Sequence, residues 1–412
     1  MSKPLRVLLD ARMLVGRFSG VARVVTELID SLAKHPGLEV AALCGRDTYP
    51  AWAGRTDFRI IPSTFGRGDR TALRRLWWEE THLPRLIRAA NVDLFHATWN
   101  RGTPARCPVP SVLTIHDLIP WDAPTSGLAG MLERSCYRHA VRSAARRAAL
   151  ITTVSEHTRQ TVLAALDPPA DRVVVVPNGV RDIALAPPCF RFPVPRPSPD
   201  PYVLYVGGHE SRKNLAAVFA AMSVYWHRFS DPLDLHVTGS AASLSLDART
   251  AYDRLPHKGR VHFLGSLTDQ EVGAEYASAS LLLLLSTAEG FGLPVLEAMA
   301  NGCPVIAADR AALPEVTADA GILVDPDKPA QVAEAMRRVV SDPLRRQEMI
   351  ARGRRRAASS TWQDVAVRMR DVYQQAANSG VRGSVQPTVR DPTTSPEPAW
   401  AAVAHEPAGS PP

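Results

Sequence analysis

Glu289 and Glu297 lie eight positions apart, with Gly290, Gly292 and Pro294 between them, in the segment LLLLLSTAEGFGLPVLEAMANGCPVIAA. The glycines let backbone approach a ligand, and the N–H groups of Phe291, Gly292 and Leu293 open a helix with an electropositive end suited to phosphate. Acids touching that phosphate would repel it. The two carboxylates are therefore expected to accept hydroxyl hydrogens on either side of it, one from a sugar and one from a ribose. An acidic helix start followed by a solvated helix face is the plainer reading of the same spacing. Arg212 and Lys213, in HESRKNL, are placed to neutralise a leaving diphosphate. His116 and Asp117 close the apolar run SVLTIHD, and His96 closes DLFHAT. A strand-end histidine either lines a site or is hydrogen-bonded in the core, and both readings stand here.

These residues need strands to hold them. The five leucines at 281–285 are too few to span a bilayer and read as a strand buried on both faces of a parallel sheet. Pro294 then suits the first turn of a helix, Gly302 its stop, and 304–308 the next strand. The loop between lies at the carboxyl end of a parallel strand, where open α/β sheets bind ligands. Further apolar strands are predicted at 6–10, 38–44, 58–62, 93–98, 111–117, 151–155, 173–180, 202–207, 235–239, 261–265 and 321–324. Amphipathic helices are predicted at 21–32, 133–150, 329–340 and 361–376. Gly16 and Gly20 after the first strand do not match G-x-G-x-x-G, which argues against a dinucleotide oxidoreductase.

A chain of 412 residues suits two cores. Proline fills seven of the fifteen positions in PPCFRFPVPRPSPDP, residues 187–201, which reads as a semi-rigid linker. The tail beyond 377 is rich in Pro, Ser, Thr and Gly and is expected to be disordered. There is no apolar run of eighteen residues, and the N-terminus lacks a signal-peptide pattern, so a cytoplasmic protein is expected. The five cysteines are scattered, without metal-ligand spacing, and are expected to be reduced. The net charge of +7 favours anionic partners without choosing among nucleotide diphosphates, nucleic acid and lipid headgroups. Arg67, Arg70, Arg74 and Arg75 beside Trp77 and Trp78, and the stripe Arg134, Arg138, Arg142 and Arg146, fit either solvated helices or an anionic membrane surface.

The segment EGFGLPVLE resembles the E-x7-E signature of retaining glycosyltransferases of family 4. That resemblance implies the GT-B fold, an α/β architecture of two Rossmann-like parallel-sheet domains facing across a cleft. It also implies that Glu289 holds the donor sugar, Glu297 the nucleotide ribose, and the amides between them the diphosphate. In the family an RKN run supplies phosphate-binding cations, a role that passes to Arg212 and Lys213, although Gly208 and His209 stand where many relatives add an arginine. By the same resemblance His116 lies by the donor sugar, Gly20 faces the diphosphate, and the loops at Gly239 and Gly265 bind the base. The implied organisation is an acceptor-side domain at 1–186, the linker at 187–201, a nucleotide-sugar domain at 202–360, a helix at 361–377 crossing back, and a tail at 378–412.

The activity implied is transfer of a hexose from a nucleoside diphosphate sugar to a glycan or lipid-linked acceptor, with peripheral membrane contact and no nucleic acid partner. Similarity to bacterial surface-polysaccharide mannosyl and rhamnosyl transferases makes GDP-mannose a leading donor. No metal is expected, because Arg212, Lys213 and the helix N-terminus can absorb the leaving charge. The triplet Asp325–Asp327, with Pro326 inside it, reads better as a turn into a helix than as a metal site. A non-catalytic binding subunit of the same fold and a sugar-nucleotide epimerase are the competing readings.

Overall fold

A computed structural model describes residues 3–12, 14, 20–47, 52, 54–66, 72–122, 127–180 and 201–379. The predicted linker, apart from Pro201, the tail from 380 onward, Gly16, Arg67 and Arg70 lie outside the described residues. Seven strands form the first sheet: β1 (Leu5–Ala11), β2 (Leu38–Cys44), β3 (Arg59–Pro62), β4 (Leu94–Ala97), β5 (Ser111–Ile115), β6 (Leu150–Thr153) and β7 (Val173–Val175). Their order is β3-β2-β1-β4-β5-β6-β7, and every pairing is parallel. A second parallel sheet contains β8 (Tyr202–Tyr205), β9 (Asp234–Val237), β10 (Val261–Phe263), β11 (Leu281–Leu284), β12 (Val305–Ala308) and β13 (Ile322–Val324), in the order β10-β9-β8-β11-β12-β13.

The apolar runs explain the sheets. Leu281 to Leu284 are fully buried because helices cover both faces, as parallel strands require. In each sheet the chain reverses its direction of growth once, between β1 and β4 in the first and between β8 and β11 in the second. Loops leaving the carboxyl ends of those neighbouring strands cannot close over each other, so a crevice forms there. Both crevices lie at the positions the chemistry needs.

The helix Trp362–Ser379 returns to the first sheet. Trp362, Val365, Ala366, Met369, Val372, Tyr373 and Ala376 recur on one face and share a core with Val24, Val25, Leu28 and Ile29 of the helix Gly20–Ala33. A bridge between Val180 and Thr361, with Val180 N–H donating to the Ser360 carbonyl at 2.8 Å, lies where the chain crosses between the domains.

Candidate active site

Lys213 ends a short 3-10 turn, Ser211–Lys213, in the loop after β8, and Glu289 lies in the loop after β11. Because β8 and β11 are adjacent, the two loops meet. Thr287 N–H donates to the Arg212 carbonyl at 2.8 Å, fixing one loop against the other. Lys213 Nζ then stands 2.6 Å from Glu289 Oε1, and Arg212 Nη1 stands 3.7 Å from Oε2 while donating to the Ala288 carbonyl at 3.4 Å. Glu289 is only 9% exposed. A largely buried carboxylate in this position is held by its cations, and a charge-assisted bond at that distance is stronger than a surface pair.

The first domain closes on the same loop. A Cβ at Gly290 would fall well inside contact distance of the His116 carbonyl oxygen and 3.0 Å from Asp117 Cβ, so only glycine allows the two backbones to meet. Ser155 Oγ donates to the Gly290 carbonyl at 2.7 Å and Thr158 Oγ1 reaches it at 3.1 Å. His116 is buried; its Nε2 donates to the Thr98 carbonyl at 2.9 Å, and its backbone N–H donates to Asn100 Oδ1 at 3.0 Å. Burial holds the imidazole below its usual pKa despite the favourable bond to Thr98. Glu315 adds a second cross-domain contact, accepting from the N–H groups of Glu156 at 2.9 Å and His157 at 3.4 Å.

Glu297 sits in the helix Leu293–Ala300, behind Gly292, whose φ of 109° only glycine adopts comfortably. Both of its oxygens are engaged. Arg23 Nη1 of the first domain donates to Oε1 at 2.8 Å, and the Tyr276 hydroxyl donates to Oε2 at 3.1 Å. The other Arg23 nitrogen reaches Asp269 at 2.7 Å. Sequence reasoning missed Arg23, Tyr276 and Asp269. One cation inside an amphipathic helix carries no signal of its partner when that partner is 274 positions away. Gly20, expected to face a diphosphate, begins the helix Gly20–Ala33 at an exposed position, with no described atom within 4 Å of where a Cβ would stand. Arg23, one turn later, reaches across to Glu297 and Asp269 of the second domain.

Residues 18–182 match the family model Glycosyltransferase Family 4, and residues 189–356 match Glycosyl transferases group 1. This chain belongs to the family 4 glycosyltransferases. An O-antigen chain mannosyltransferase B from Escherichia coli is 29% identical over 230 residues, a match spanning 55% of this chain and 60% of that protein. An alpha-maltose-1-phosphate synthase from Mycolicibacterium smegmatis is 29% identical across 87% of this chain and 96% of its own. The Anabaena protein Alr3699/HepE in complex with UDP-glucose superimposes with a TM-score of 0.67 at 17% identity, over 90% of this chain and 99% of that one. The fold is GT-B, with two Rossmann-like domains.

The remaining predicted residues of this glycosyltransferase have these surroundings. Gly239 and Gly265 were expected to meet a base through their backbone. Each donates its N–H to the other's carbonyl, at 2.8 and 2.9 Å, and the His209 ring packs over Gly239. Both amides are thereby engaged in joining the two loops. His96 does not line the cleft. It is fully buried, bonded to the Tyr373 hydroxyl and to Thr114 Oγ1, each at 2.7 Å, because the returning C-terminal helix lands on it. Trp78 and Arg75 are buried, with Trp78 against Phe65 and Arg12, while Arg74, Leu76 and Trp77 are exposed. The basic helix runs from Gly127 to Arg147, and Arg138 and Arg142 lie over the Trp121 ring, with Arg142 still exposed. The triplet at Asp325 is a turn: Asp325 Oδ1 accepts from Asp327 N–H at 3.1 Å, and Arg310 pairs with both acids. Among the described residues no group of three or more metal-ligating side chains converges, and no helix is long and apolar enough to cross a membrane.

The placement of His96 gives a pH dependence. Burial, aided by nearby His116, pushes its pKa from 6.5 down to about 3. The folded protein therefore keeps His96 neutral while the unfolded chain takes up a proton below 6.5, so its contribution is complete above 6.5 and is lost as pH falls towards 3. The expected loss is about 1.4 kcal/mol per pH unit inside that window. Thermal midpoints of the wild type and His96→Gln measured across it should show a shallower acid slope in the variant; parallel slopes would refute this origin.

Proposed function

We propose that this family 4 enzyme transfers a hexose, with retention of configuration and without a metal ion, from a nucleoside diphosphate sugar to a hydroxyl of a glycan or lipid-linked acceptor. The observation that carries the reading is the loop of Glu289, held by Lys213 and Arg212, meeting the His116 backbone of the other domain at Gly290. In this mechanism the bond from the sugar's anomeric carbon to the diphosphate breaks while a bond to the acceptor oxygen forms on the same face. The acceptor's proton passes to the departing phosphate oxygen, so no enzyme nucleophile is needed. Arg212, Lys213 and the N-terminus of the helix Leu293–Ala300 would stabilise the leaving charge. Glu289 would orient the sugar, and Glu297 the ribose once Arg23 has turned from it towards the diphosphate. The complex of Alr3699/HepE with UDP-glucose supports a nucleotide-sugar donor, and the E. coli mannosyltransferase supports a mannose-type sugar.

Purified protein incubated with GDP-mannose, UDP-glucose and a dTDP sugar in excess chelator is expected to release nucleotide from one of them, faster with acceptor. Complete loss in chelator that added metal restores would exclude the metal-free mechanism. Donor conversion without nucleotide release would favour an epimerase, and binding without turnover a non-catalytic subunit.

A lipid-linked acceptor also needs the protein at a surface. Leu128, Met131 and Leu132 are exposed in the first two turns of the helix Gly127–Arg147, and Leu76 and Trp77 are exposed on the helix Ala72–Thr81. Apolar tips beside arginines suit an anionic bilayer. Co-sedimentation with phosphatidylglycerol vesicles is expected, and Leu128→Asp with Leu132→Asp should abolish it; unchanged sedimentation would remove this contact from the reading.

A further inference from the structure

Between the helices Ala72–Thr81 and Gly127–Arg147, beneath the loop that follows β4, lies a cavity of about 250 Å³. It stands apart from Lys213 and Glu289, which belong to the other domain. Glu79, Glu80, Arg101, Thr103, Ser143 and Arg147 line it, with Leu76 supplying an apolar wall. We propose that this cavity is a subsite for a neutral sugar ring of the acceptor; the assignment rests on the transferase reading above.

The polar lining is built into the fold. Glu80 accepts from Ala105 N–H at 2.7 Å and pairs with Arg147 at 2.9 Å, while Arg147 also donates to the Thr103 carbonyl at 3.3 Å. Glu79 is fixed from behind by Arg12 at 3.5 Å, itself held by Asp10 at 2.6 Å and lying over the Trp78 ring. The informative group is Thr103. It is 4% exposed and lines the cavity, yet its hydroxyl has no hydrogen-bond partner among the described residues. A buried hydroxyl left in that condition destabilises the fold, so a ligand that bonds to it repairs a deficit already present.

The charges select the ligand class. Two carboxylates stand beside two guanidinium groups, and Arg147 is already paired with Glu80, a lining of mixed sign that suits a neutral, hydroxyl-rich ring better than a phosphate. Burial raises the Glu79 carboxyl to about 7, which lets it both donate and accept near neutrality, as a sugar hydroxyl requires. Leu76, half exposed at the rim, suits the C–H face of a pyranose. The space is several times the roughly 30 Å³ share of one water, which fits a single ring.

The loop ties this cavity to the reaction centre. Asn100, next to Arg101, holds the His116 backbone N–H at 3.0 Å and the Tyr137 hydroxyl at 3.0 Å, and the Arg101 guanidinium lies over the Tyr137 ring. The residue that holds the His116 backbone is thus next in the chain to the cavity wall. An oligosaccharide reaching the cleft past His116 could seat its next ring here.

The test uses saturation-transfer NMR on the full chain with methyl α-D-mannopyranoside, methyl α-D-glucopyranoside and methyl α-L-rhamnopyranoside. At least one is expected to bind saturably. Thr103→Val should weaken that binding by about fivefold, the worth of one hydrogen bond. Its thermal midpoint should hold or rise, since the orphan hydroxyl is gone, an outcome that a purely structural role for Thr103 does not produce. Ser143→Phe, at a partly exposed helix position, should fill the space and abolish binding while nucleotide binding in the other domain is retained. No glycoside binding by the wild type, or binding that both variants leave unchanged, would overturn the subsite. Glycoside binding in a protein that never turns over a nucleotide sugar would overturn the transferase reading alone.

Discussion

Glu289→Ala is expected to lower transfer by about a thousandfold, the scale of removing one preorganised polar group from a reaction centre. The carboxylate is 9% exposed and lies 2.6 Å from Lys213 Nζ, so two effects combine. The donor sugar loses the acid that orients it, and a largely buried ammonium loses its counter-charge and becomes free to move. Glu289→Gln separates them: it keeps a hydrogen-bond acceptor of the same size while removing the charge, and should recover part of the fold stability but little of the rate. Glu297→Ala is the control. Its side chain is bonded to Arg23 and Tyr276 and faces the proposed ribose position, so it should chiefly weaken nucleotide binding, by roughly tenfold, the worth of about 1.4 kcal/mol. Rates and nucleotide affinities for the three variants decide the assignment; wild-type turnover by Glu289→Ala would contradict it.

Gly290→Ala should be nearly as damaging by another route. The added methyl would meet the His116 carbonyl and Asp117 Cβ, both backbone-anchored, and would displace the Gly290 carbonyl from Ser155 and Thr158. Each domain also has a core cluster of its own, away from the contact of Val154 with Phe291 beside Gly290, so each should remain folded. The expected result is a wider interdomain gap by small-angle scattering, nucleotide binding within a few-fold of wild type, and transfer reduced by at least about a hundredfold, as a 1 Å misplacement of reacting groups can produce. Retained transfer would mean that the two backbones need not touch during the reaction.

Much of the fold was legible in the chain. Strands β2 and β11 and the helix after Pro294 follow from apolar runs bounded by glycine and proline, because a strand buried on both faces and an amphipathic helix each leave a distinct period. The helix Gly127–Arg147 was read six residues too short at its start. Leu128, Met131 and Leu132 are exposed there, and without a buried face the helical period has nothing to mark it. His96 was legible only as one of two outcomes, since whether a strand-end histidine meets solvent or core depends on what lands on it, here Tyr373.

By itself the sequence determined the parallel α/β architecture and the residue types of the site: two acids eight apart, a pair of cations, a strand-end histidine. Those are local facts, written in spacing and hydropathy. Which cation meets which acid was decided by tertiary structure alone. Lys213 and Glu289 are 76 positions apart and meet only because β8 and β11 are neighbours at the point where the sheet reverses its order. Arg23 meets Glu297 across 274 positions only because two separately formed sheets close on one another at Gly290. Charge attraction is short-ranged in salt water, with a Debye length of about 8 Å, so strand order and domain closure must first bring such groups within reach of each other.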